Sequence, residues 1–83
     1  MPLTYSGGDG SSIEQAVVIR GVRNTEAGLA AETAWMRQRY PGANKTMQEL
    51  ADVGRKNYDV IGFTTAEGQT KSVYFDITDF FGK

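Results

Sequence analysis

The residues able to do chemistry in this chain form a short roll. Its 83 residues include no cysteine and no histidine. The first absence excludes disulfides, thiol nucleophiles and thiolate metal sites. The second removes the usual general base and the commonest transition-metal ligand. Carboxylates, lysines, tyrosines and serines are left. Asp59, Asp76 and Asp79 lie in or beside the most strand-like part of the chain, and they are the candidates for a carboxylate-based enzyme or a metal site. Asp76 and Asp79 are close in sequence, yet strand alternation does not bring them to one point. No third ligand or base accompanies them, so no catalytic, cofactor or metal residue is assigned and a non-enzyme is expected.

Two other chemistries can be weighed from residue types. Ser6-Gly-Gly-Asp-Gly-Ser-Ser12 could cradle an anion through glycine amides, but no GK[ST] follows and the glycines miss the dinucleotide fingerprint. Asp9 lacks the regularly spaced acidic partners of a calcium loop. Residues 1–12 therefore read as a flexible lead-in. Arg20, Arg23, Arg37, Arg39, Lys45, Arg55 and Lys56, with tyrosines for stacking, allow single-stranded nucleic-acid binding as an alternative function. The formal net charge of −1 shows no basic excess, and the basic residues are scattered.

The elements that must position these groups start from Tyr58 to Ile77. Two runs rich in Val, Ile, Phe, Tyr and Thr flank Ala66-Glu67-Gly68-Gln69, and Gly68 can take the positive φ of a tight hairpin. Alternation puts Ile61 and Phe63 on one face with Val73, Phe75 and Ile77, the expected core. The other face carries Tyr58, Val60, Tyr74 and Asp76. With one helix to cover one face, the row Tyr58, Val60 and Tyr74 is the candidate interface, and aromatics of this kind are enriched at such surfaces. A protein partner, or a homodimer through two-fold symmetry, is the leading functional reading.

Ala16-Val-Val-Ile19 reads as a short buried strand after a turn at Ser12-Ile-Glu-Gln15. A helix follows, capped by Asn24 or Thr25, with Glu26 in its first turn and Arg37 and Arg39 in its last; Pro41-Gly42 ends it. Leu29, Thr33, Met36 and Tyr40 mark its inward stripe, with Ala30 and Trp35 at the edges, Trp35 as core or core rim. Residues 46–53 fit a capped helix or a strand. A two-armed hairpin needs more sheet to be stable, and this favours the strand. Phe80 and Phe81 should tuck under the core. The sum is an α+β fold, β-α-β-β-β over residues 13–83, with one helix on a mostly antiparallel sheet.

The Gly7-Gly-Asp-Gly-Ser-Ser12 opening, with the Tyr74-Phe-Asp-Ile-Thr-Asp-Phe-Phe-Gly-Lys83 ending, resembles small uncharacterised bacterial proteins. The likeness covers the two ends of the chain. It implies a bacterial source and a stand-alone short protein, and it carries over no activity and no site residue. The element order differs from the α-β-β-β-α of double-stranded-RNA-binding domains. No apolar run has the length of a membrane span and the N-terminus is not laid out as a signal peptide, so a cytoplasmic protein is expected.

Overall fold

The hairpin drawn around Gly68 is the centre of the sheet. In a computed structural model describing residues 3–83, its arms are β4 (Lys56–Thr64) and β5 (Thr70–Asp76), paired from Tyr58↔Asp76 to Thr64↔Thr70. Gly68 takes φ +87°, and its N–H donates to the Thr65 carbonyl at 2.9 Å. The undecided segment is β3 (Asn44–Val53), a strand. It reaches β4 through the two residues Gly54-Arg55, since Val53 pairs with Lys56. Gly54 has φ +62°, as the first position of a type II′ turn requires.

β2 (Val17–Arg20) runs parallel to β5, and β1 (Thr4–Gly7) lies antiparallel outside it. The order is β1-β2-β5-β4-β3, with α1 (Thr25–Arg39) between β2 and β3 in sequence. One helix on a five-stranded, mostly antiparallel sheet confirms the α+β architecture. Within the segment 1–12, expected as a flexible lead-in, residues 4–7 form β1, a strand beyond the expected β-α-β-β-β order; Met1 and Pro2 lie outside the described residues. The Tyr5 hydroxyl donates to the Ala31 carbonyl at 2.7 Å, tying β1 to the helix. Gly10 is buried, and its carbonyl accepts from the Tyr74 N–H at 2.8 Å. A Cβ at Gly10 would stand 3.1 Å from Val73 and 3.2 Å from Val17. The glycines there permit close approach to the sheet, which sequence composition presents as looseness.

Val17, Ile19, Ile61, Phe63, Val73, Phe75 and Ile77 form the core with Ala31 and Phe80, so the face assignment of the hairpin is right. Asn24 caps α1, its side chain accepting from the Ala27 N–H at 2.8 Å. The inward stripe is corrected: Gly28, Ala31 and Glu32 are buried, while Leu29, Ala30 and Thr33 are exposed. Met36 and Tyr40 do pack on the core, and Trp35 meets Phe75 edge-on with centroids 5.4 Å apart. The phase is set from the tail. Phe80 lies against Gly28 so closely that a Cβ there would overlap its ring. Phe81 stays 39 % exposed, against expectation. Among the described residues no helix is long and apolar enough to cross a membrane.

Candidate functional site

Turning Glu32 inward creates a chemically unusual neighbourhood. Glu32 on α1 and Asp59 on β4 are each 1 % exposed. Asp59 shares the helix-facing side with Ile61 and Phe63, two and four residues along its strand. Its Oδ2 accepts from the Gln48 Nε2 at 2.7 Å, while its Oδ1 and both oxygens of Glu32 find no donor. Two ionised carboxylates offer acceptors only, so they cannot bond each other; with one proton between them Glu32 donates to Asp59. Burial first, then the bond to Asp59 and the Asp59 charge, push the Glu32 carboxyl up to about 10. The Glu32 carboxyl therefore keeps its proton at neutral pH.

The polar supports come from β3, through a bulge. The register shifts between Lys45 and Met47, with Lys45 opposite Phe63 and Gln48 opposite Ile61. One extra residue thus puts Lys45 and Gln48, three apart, on the helix-facing side. The Lys45 Nζ donates to the Gln48 Oε1 at 2.7 Å. A chain of hydrogen-bonded side chains, Lys45–Gln48–Asp59, therefore runs from solvent to the interior, where Glu32 lies buried beside it. It borders a cavity of about 550 Å³ between α1 and the β3 side of the sheet. Leu29, Met36 and Ile61 give it apolar walls, and Glu32 lies on its lining.

The carboxylates proposed from sequence are not gathered. Asp59 faces the helix, whereas Asp76 pairs with Tyr58 on the opposite face. There Asp76 accepts from the Thr78 N–H and hydroxyl and meets Lys56 at 3.8 Å. Asp79 accepts from the Gly21 N–H at 3.4 Å. Among the described residues, no three potential metal ligands come together. The partner that Asp59 does have, Glu32, was missed. Its only sequence signal is a charge at the i+4 position from Gly28 and one residue after Ala31, visible once the helix is phased correctly.

The row Tyr58, Val60 and Tyr74 does share the face opposite the helix, but it is less open than expected. Tyr58 is 6 % exposed, and Val60 and Tyr74 are half-buried. Tyr58 stands on an interior strand between Ala51 of β3 and Asp76 of β5, with Lys56 two residues before it reaching Asp76. That frame leaves the ring little surface to give a partner. Most of the exposed large apolar residues of the sheet lie instead on β3, namely Met47, Leu50 and Val53, with Tyr5 on β1 at the other edge. Comparison with protein-family models, curated proteins and solved structures finds no match, and the fold and the Glu32–Asp59 neighbourhood are what characterise this chain.

Proposed function

We propose that this chain is a non-catalytic cytoplasmic interaction module that pairs with a second copy of itself along β3. The carrying observation is β3: ten residues at a sheet edge, with Leu50 61 % exposed and Met47 and Val53 exposed beside it. An uncovered edge offers unpaired N–H and C=O groups to another strand, and proteins usually blunt such edges with shortness, charge or proline. β1, the other edge, has four residues. β3 has no proline, and its exposed apolar groups run along its length.

A second copy is favoured over other partners by the register this strand allows. Beyond the bulge, the regular stretch Met47–Val53 has Leu50 at its midpoint. A two-fold axis normal to the sheet keeps faces in common and sets Leu50 against Leu50 on the helix side. Met47 then opposes Val53 on the other face, Gln48 opposes Asp52 and Glu49 opposes Ala51. Apolar groups meet apolar groups, and no like charges are opposed. Centring on Glu49 would oppose two carboxylates, and centring on Gln48 would set Met47 against Glu49.

Light scattering with sedimentation tests this. Wild type should be dimeric at micromolar concentration. Leu50→Lys and Leu50→Glu should each be monomeric, since each puts like charges face to face. An equimolar mixture of the two should recover a heterodimer, because Leu50 is its own partner. A wild type that stays monomeric at millimolar concentration, or two variants that fail to complement, overturns the pairing. A Tyr58→Ser, Tyr74→Ser variant that alone abolishes association would return the interface to the opposite face.

A further inference from the structure

One helix cannot cover five strands, and the uncovered flank of the helix side is where the molecule has room. Neighbouring strands stand about 4.8 Å apart, so five span roughly 19 Å, against a helix about 10 Å wide. α1 lies over β5, where Trp35 meets Phe75, and Lys45, Gln48 and Leu50 of β3 stay exposed. The space between α1 and this flank is the cavity of about 550 Å³, a volume in the range of small-molecule sites. Leu29, an exposed large apolar side chain of α1, stands on its wall with Met36 and Ile61. Leu50, on which pairing along β3 turns, is not on the lining, so the cavity is a separate surface.

The charges that the cavity shows an occupant are all of one sign. Glu32 is on the lining, but both its carboxyl oxygens are closed off from solvent, so the cavity meets its hydrocarbon stem and not its acid. That acid also keeps its proton at neutral pH. Asp59 is off the lining, with its Oδ2 taken by Gln48. Arg37 of α1 and Lys45 of β3 are on the lining and exposed. Neither pairs with a carboxylate among the described residues, where the ion pair is Lys56 with Asp76. The two cations also belong to the same end. Arg37 is one turn before Tyr40, whose ring meets Phe63 with centroids 4.8 Å apart, and Lys45 is the cross-strand partner of Phe63. Leu29 lies toward the other end, about 12 Å along the helix axis from Arg37. The C-terminus of α1 adds about half a negative charge near Tyr40, which two full cations outweigh.

A cationic end and an apolar end on one cavity specify an amphiphile of the opposite charge. We propose that the cavity between α1, β3 and β4 binds a medium-chain aliphatic carboxylate, its head on Arg37 and Lys45 and its chain along Met36 and Ile61 toward Leu29. The carboxylate accepts charge-assisted hydrogen bonds from the guanidinium and the ammonium, and the chain covers apolar wall that water now wets. An alcohol of the same length keeps the second contribution and loses most of the first. An alkylammonium brings a third cation to the two already there.

The test titrates the full chain with octanoate, 1-octanol and octylamine, following backbone amide shifts by NMR. Octanoate should give saturable shifts around Leu29, Met36 and Ile61 and bind at least about fivefold tighter than 1-octanol, with octylamine weakest. Raising the ionic strength from about 0.01 M to about 1 M should shrink the preference for octanoate. Arg37→Gln combined with Lys45→Gln should bring octanoate to parity with 1-octanol. Arg37→Glu combined with Lys45→Glu should turn the preference to octylamine, a reversal that a merely collapsed cavity cannot give. Equal binding of octanoate and 1-octanol to wild type overturns the proposal, as does a charge-reversed variant that still favours octanoate or favours neither ion. Shifts centred on Leu50 and Val53 instead of the cavity, or no saturable shift at millimolar octanoate, overturn it equally.

Discussion

Glu32→Gln should make this protein more stable, by an amount that grows with pH. The folded state keeps the Glu32 carboxyl protonated up to about 10, against an ordinary value of 4.5. Between those values the folded chain binds a proton that the unfolded chain releases. Stability from this group is therefore complete below about pH 4.5 and falls as pH rises toward 10. At about 1.4 kcal/mol per pH unit, holding the proton at pH 7 costs about 3 kcal/mol. That figure depends only on the unfolded value and the pH, so long as the folded value lies well above neutrality. A domain of this size has about 5–10 kcal/mol in hand, and the same slope carried toward pH 9 consumes most of it. Wild type should thus unfold in mild base. Glutamine keeps the shape and neutrality of the protonated acid, and its amide can still donate to Asp59 Oδ1. Urea melts of both proteins from about pH 5 to about pH 8 read the difference directly. It should be near zero at the acid end and about 3 kcal/mol in favour of the variant at neutrality. A difference that does not change with pH refutes the reasoning, and would mean that water in the cavity solvates an ionised Glu32. A variant less stable than wild type at pH 7 refutes it equally.

Phe75 is fully buried under the helix while Tyr74 is half-buried on the other face, so Phe75→Ala should cost about 3–5 kcal/mol and Tyr74→Ala clearly less. Denaturant melts that rank them in reverse would put β5 one residue out of register. Gly28→Ala should destabilise, although alanine gains about 1 kcal/mol in helix propensity, because its Cβ overlaps the Phe80 ring. A thermal melt showing a stabilised Gly28→Ala, or a Phe80→Ala background in which it is equally harmful, would contradict this packing.

What could be read from the sequence was the part governed by period-two alternation. The two faces of the β4–β5 hairpin, the strand at β2 and the turn at Gly68 follow from residues that leave a sheet little choice. For residues 46–53 the local capping signals pointed to a helix, and the strand followed only from the need for more sheet. Alternation along that strand does put Met47, Ala51 and Val53 on one side. It could not place Lys45 and Gln48 on the other together, because the bulge at Thr46 changes the parity and carries no residue signature. The strand in the N-terminal segment was hidden for a related reason. Its glycines are short of side chains, which composition equates with mobility, whereas Gly10 is there so that Val17 and Val73 can close over it.

The candidate site was hidden by a single rotation of one helix. Reading α1 by its largest apolar side chains puts Leu29, Thr33 and Met36 inward, and Glu32 falls at the solvent boundary. The observed phase instead buries the smallest residue of the helix, Gly28, because Phe80 arrives from 52 positions downstream and needs that space. Once Gly28 and Ala31 face the sheet, helical geometry turns Glu32 inward with them, and β4 presents Asp59 from the facing side. An aromatic ring in the tail and a glycine in the first turns of the helix thereby position a carboxyl pair that neither one touches chemically. No window of local sequence contains both members of that contact. Residue types alone did single out Asp59, but as a member of a trio with Asp76 and Asp79. The hairpin register sends Asp76 to the opposite face and leaves Asp59 for Glu32. The chemistry of this protein is therefore a consequence of tertiary packing, and a substitution that let the helix settle into its propensity-favoured phase would expose Glu32 and dissolve the site while leaving every strand in place.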